Sequence, residues 1–77
     1  MRDPRATMSI ADASEHTGLT PRQIRYLEER GHILPQYIKI GSARQRRYSA
    51  ELVELLAEIA KFRQEGLTLK AAVEKSA

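Results

Sequence analysis

A stop and a start stand almost back to back at Gly18-Leu19-Thr20-Pro21. Glycine reaches the left-handed conformation that closes a helix, and threonine is a helix cap. Proline at the first helical position gives up an N–H that would have no intrahelical partner anyway. Two short helices must therefore follow each other across a turn of roughly three or four residues, which is the spacing of a helix-turn-helix. Ser9 caps the first, ahead of Ile10, Ala11, Ala13 and Ser14, with Asp12 favouring the positive end of the helix dipole. The second runs to about Arg30 and closes at Gly31. Its inward stripe is narrow, Ile24 and Leu27 three apart, with Leu19, Ile33 and Leu34 expected to support it from outside the helix.

Beyond Gly31 the period changes. Gln36 to Ile40, through Tyr37-Ile38-Lys39-Ile40, has strand character, and Gly41-Ser42 begins a loop that returns through Gln45, Arg46, Arg47 and Tyr48. A two-stranded hairpin with a basic tip is the simplest reading. Ser49 then caps a third helix with Glu51 in its first turn, and Leu52, Val53, Leu55, Leu56, Ile59, Ala60 and Phe62 give it a wide buried face. Gly66 ends it, and Thr68 starts a last helix through Leu69, Ala72 and Val73. The expected fold is mostly α: a winged helix-turn-helix of about four helices with a small two-stranded wing. Residues 1–8 are expected to form a loose N-terminal arm and residues 9–77 the single domain.

Charge says what such a domain faces. The net excess is only +3, yet residues 20–48 carry seven bases against two acids while each flank is net acidic by one. Concentrating positive charge on one helix and one hairpin is how a small domain meets a polyanion such as double-stranded DNA. The chain has no cysteine, which removes disulfides, thiolate metal sites and a cysteine nucleophile, and suits a reducing interior. Apolar stretches fall far short of the ~20 residues of a membrane span, and the first residues lack the apolar core of a signal peptide. The expected location is the cytoplasm, at the nucleoid.

In a helix-turn-helix the leading residues of the second helix approach base edges in a major groove about 12 Å wide. Arg22 and Gln23 hold those positions, and both can make paired hydrogen bonds, arginine to guanine and glutamine to adenine. They are the candidate base readers. Thr20, Arg25 and Tyr26 are candidates for phosphate contact, as are Arg44 and Arg46, which period-2 spacing puts on one face of the returning strand with Arg47 on the other. Plainer roles compete. Arg25 and Glu29 stand at a spacing that gives a helix-surface pair worth only ~0.3 kcal/mol. Gln23 has a simple solvated alternative, Tyr26 that of a partly buried ring, and Tyr37 belongs either to the wing surface or to the core. Tyr48, at the end of the hairpin, is expected in the core. His16 and His32 lack partners at ligand spacing, and Glu51, Glu54 and Glu58 trace a solvated helix face. No metal, cofactor or catalytic group is expected, and the chain is not read as an enzyme.

Leu19 to Ile33, followed by Arg46-Arg47-Tyr48-Ser49, resembles the DNA-binding domain of the MerR family of bacterial transcription regulators. The specific parts are Ile-Arg-Tyr-x-Glu after a Thr-Pro helix start, the glycine that closes that helix, and the arginine-tyrosine end of the wing. Leu-Thr-x-Arg-Gln-Ile-Arg-Tyr is most similar to the nitrogen-control repressors, and Arg-Arg-Tyr-Ser-Ala to the heat-shock repressors. The resemblance implies a regulator that binds an inverted-repeat operator as a homodimer, with Arg25, Tyr26 and Arg46 at phosphate-contacting positions. Leu27 and Gln45 depart from it, standing where aromatic residues are common. A long dimerisation helix and an effector domain would follow about where residue 77 falls, so this is either an excised domain or a small stand-alone member that pairs differently. With the apolar residues used by the four-helix core and no heptad run after Gly66, the chain taken alone is expected to be a monomer. An excisionase-type architectural factor shares the fold but bends DNA for recombination. A winged-helix protein-interaction module without DNA binding is the alternative from another class.

Overall fold

The computed structural model describes residues 7–76. Among these the order is α1 (Ile10–Thr17), α2 (Pro21–Glu29), β1 (Gln36–Ile40), β2 (Ala43–Arg47), α3 (Ala50–Gln64) and α4 (Leu69–Ser76). This is a winged helix-turn-helix of mostly helical content, as the sequence predicts. Each predicted cap is in place: Ser9 Oγ accepts from the Asp12 N–H, Thr20 Oγ1 from Gln23, Ser49 Oγ from Leu52 and Thr68 Oγ1 from Ala71. Arg30 caps the end of α2, and Gly31 beyond it has φ +78°, in the left-handed region expected of it.

Side chains stitch the turn between α1 and α2. Gly18, at φ +86°, donates to the Ser14 carbonyl, while Ser14 Oγ donates to the Leu19 carbonyl at 2.6 Å. Buried Thr17 donates its hydroxyl to Ala13 O at 2.7 Å and accepts the Leu19 N–H at 3.3 Å. These bonds satisfy turn groups that would otherwise be desolvated, and they fix where α2 starts relative to α1.

The core gathers Ala13, Leu19, Ile24, Leu27, Ile33, Tyr48, Val53, Leu56, Ile59, Ala60 and Ala72, with Leu52, Leu55, Phe62, Leu69 and Val73 packed against it. Full burial of Ile24 and Leu27 contributes about 1.5–3 kcal/mol each and holds α2 by its inward stripe. Leu34 is the exception to the predicted core: it is 84 % exposed, because the chain turns outward after Ile33 on its way to the hairpin.

Strands β1 and β2 are antiparallel with Gln36 opposite Arg47, Tyr37 opposite Arg46, Ile38 opposite Gln45, Lys39 opposite Arg44 and Ile40 opposite Ala43. Gly41, at φ +64°, opens the two-residue turn between them. Every strand position is exposed apart from Arg47, which is half-buried. Tyr48 anchors the wing's base in the core, and its N–H and carbonyl exchange 2.8 Å hydrogen bonds with Met8. The arm expected over residues 1–8 is thus fastened at its end, since Arg47 also bonds to the Thr7 hydroxyl and carbonyl. The rest of that arm lies outside the described residues. No helix among the described residues is long and apolar enough to cross a membrane.

Candidate nucleic-acid interface

Successive residues of α2 turn about 100° around its axis. With Ile24 and Leu27 inward, Arg22, Arg25, Tyr26 and Glu29 share the exposed face and border one shallow recess. Thus Arg22, Arg25 and Tyr26, all singled out from the sequence, are brought together on the open side of the second helix.

Gln23 is elsewhere. It is half-buried at the edge of α2, beside Gly18, Leu19, Ala60, Arg63 and Gln64. Its Oε1 accepts the Thr20 N–H at 2.9 Å while Thr20 Oγ1 accepts the Gln23 N–H at 3.1 Å, a reciprocal capping box. The capping bond takes one of the two acceptor positions of Oε1 and holds the side chain against the start of the helix. Thr20 keeps its hydroxyl proton for an outside acceptor, since its capping bond uses only the oxygen.

Tyr26 is 42 % exposed, and its hydroxyl accepts from Arg30 Nε at 3.1 Å while the guanidinium lies 5.4 Å from the ring centroid. The hydroxyl bond is the main reason the Arg30 pKa is raised. Accepting from a cation leaves the Tyr26 O–H as a stronger donor toward an anion.

The register puts Tyr37, Lys39, Arg44 and Arg46 on one face of the wing and Arg47 on the other, as period-2 spacing requires. The Arg44 guanidinium stacks 4.5 Å over the Tyr37 ring centroid. Arg46 Nε donates to Glu28 Oε1 on α2 at 3.0 Å, and the same oxygen accepts the Tyr37 hydroxyl at 2.9 Å. The Glu28 bond raises the Arg46 pKa. These bonds tie the wing's basic face, which carries Lys39, Arg44 and Arg46, to α2 through Glu28.

Glu28, Tyr37 and Lys39 did not stand out in the sequence as site residues. Lys39 was recoverable from alternation across the hairpin; the Glu28 linkage was not, since its partners lie 9 and 18 residues away. The opposite face of the wing carries exposed Ile38 and Ile40. No group of three or more metal-ligating side chains occurs among the described residues.

Comparison with known proteins agrees with this geometry. The chain is 48 % identical over 60 residues to the HTH-type transcriptional regulator TnrA of Bacillus subtilis (strain 168), a stretch covering 78 % of this chain and 52 % of that protein. The chain therefore spans about half the length of this relative. The sequence profile of MerR helix-turn-helix family regulatory proteins matches residues 8–76, from the bridge at Met8 to the last residue of α4. With the stitched turn, the basic outer face of α2 and the wing beside it, this match shows that the chain belongs to the MerR family of bacterial helix-turn-helix, DNA-binding transcription regulators.

Proposed function

We propose that this domain reads one half-site of a double-stranded DNA operator, with α2 in the major groove and the wing along the adjacent backbone. The observation that carries this is the joining of two basic surfaces, the outer face of α2 and the Lys39, Arg44 and Arg46 face of the wing, through Glu28. Arg22 leads the exposed face and serves as base reader. Arg25, Tyr26, Arg44 and Arg46 hold phosphates, and Thr20 offers a hydroxyl to the backbone at the start of the helix. Gln23 is assigned first to the capping box that sets the start of α2 and only second to base contact. Two copies on an inverted repeat would each take a half-site, in the bacterial cytoplasm at the nucleoid.

The test is a selection of bound duplexes from random DNA, followed by fluorescence anisotropy on the selected and on unrelated duplexes across a salt series. Four phosphate-neutralising contacts, from Arg25, Lys39, Arg44 and Arg46, make log affinity fall against log salt with a slope of about −4. A preference for the selected duplex supports half-site reading. Equal affinity for all duplexes refutes it, and no binding at low salt would leave the protein-interaction reading standing. A bending assay on the selected duplex separates promoter regulation from the excisionase-type role.

A further inference from the structure

The wing is a lever packed only at its base, where Tyr48 sits in the core. Beyond that base none of its strand side chains is buried, so hydrophobic contact along the strands contributes little to its angle to α2. Its base is held by Tyr48 and the exchange with Met8, and its outer face by Arg47 on Thr7. On the face that carries Lys39, Arg44 and Arg46, the hydrogen bonds to α2 seen among the described residues go to the carboxylate of Glu28, which receives both Tyr37 and Arg46. Tyr37 and Arg46 are cross-strand partners, so one oxygen grips both strands at the same rung.

From this arrangement we infer that Glu28 is a positioning residue for DNA recognition: it sets the angle of the wing to α2 and orients Arg46 toward a phosphate without touching DNA itself. The inference rests on the half-site reading above. Exposure of the pair gives the direction of action. The Glu28 side chain is 15 % exposed and that of Arg46 44 %, so the carboxylate sits beneath the arginine and part of the guanidinium stays at the surface. The bond engages Nε, the inner nitrogen, and that choice aims the rest of the guanidinium. A carboxylate this close to a phosphate site is electrostatically unfavourable for DNA binding taken alone. Its removal therefore has opposite consequences for two kinds of DNA. Non-specific binding gains from the lost negative charge, whereas binding to the preferred site loses the preset distance between base reader and wing.

Glu28→Ala and Glu28→Gln test this in the intact chain. The alanine variant is expected to lower the ratio of affinities for selected over unrelated duplex by about tenfold, the size of one lost coupling. Its affinity for unrelated duplex should hold or rise. Glutamine retains an oxygen that accepts from Tyr37 and Arg46, so it should restore most of the ratio even though it also lacks the charge. Equal changes on both duplexes in Glu28→Ala, or failure of Glu28→Gln to recover more than alanine does, would overturn the assignment. A second readout needs no DNA. In 15N NMR the Arg46 Nε–H should resonate as a slowly exchanging, hydrogen-bonded proton in the parent chain, and Glu28→Ala should lose it and loosen the wing amides relative to α3. Wing amides with unchanged order and orientation in a folded Glu28→Ala would refute the inference whatever happens to DNA binding. Absence of DNA binding by the parent chain would instead refute the half-site reading.

Discussion

Replacing Tyr48 by phenylalanine should stabilise this protein. The ring is fully buried, with 0 % exposure, and its hydroxyl has no hydrogen-bond partner among the described residues. Hydroxyl desolvation without a partner costs roughly 1–3 kcal/mol. Removing the oxygen forfeits only a few contacts of about 0.1–0.2 kcal/mol each. The balance is a gain of about 1 kcal/mol, which in a domain this small raises Tm by roughly 4–8 °C. Urea and thermal unfolding followed by circular dichroism measure it, and the midpoint should rise with the denaturant slope unchanged. Alkaline pH supplies a second check. Burial first, and the nearby Glu28 carboxylate second, push the phenol above its ordinary 10.0, so the folded state holds the proton more tightly than the unfolded chain. Tyr48 therefore contributes full stability below pH 10.0 and loses it as pH climbs from there toward the folded pKa. Tyr48→Phe should lack that part of the alkaline decline. A lower Tm in Tyr48→Phe would refute the reasoning, for it would mean that the hydroxyl makes a bond worth more than its burial costs.

Further outcomes follow from the interface and the core. Arg22→Ala should cost ~1–3 kcal/mol on the selected duplex and relax preference at one base pair, whereas equal weakening on unrelated DNA would move Arg22 to the backbone. Arg44→Ala should weaken all duplexes alike and reduce the steepness of the salt slope by about one in anisotropy titrations. Arg46→Ala should also reduce the salt slope by about one, but because it leaves Glu28 held by Tyr37 alone it should weaken the selected duplex more than unrelated DNA. Leu56→Ala in the centre of the core should destabilise by about 2–5 kcal/mol in urea unfolding, with DNA preference retained once folded. The isolated 77-residue chain should sediment as a monomer at micromolar concentration and bind an inverted repeat with little cooperativity. A stable dimer would direct attention to the exposed Leu34, Ile38 and Ile40.

Local patterns determined most of the secondary structure here. Capping chemistry is complete within four residues, so Ser9, Thr20, Ser49 and Thr68 announce the helices they begin, and Gly18 and Gly31 the turns that follow. Strand alternation likewise placed Arg44 and Arg46 together and Arg47 apart. The open face of α2 was legible as well, because Ile24 and Leu27 leave only one side for Arg22, Arg25 and Tyr26. Other features arise only when elements meet. Leu34 has the composition of a core residue but sits where the chain departs for the hairpin. Gln23 has the chemistry of a base reader, yet its Oε1 closes the capping box. Glu28 closes the Ile-Arg-Tyr-x-Glu run of the family resemblance, but its partners become visible only when folding brings the rung of Tyr37 and Arg46 onto it. Such bonds depend on the angle between a hairpin and a helix. Periodicity specifies which way side chains point from their own backbone, and tertiary packing decides what stands opposite them.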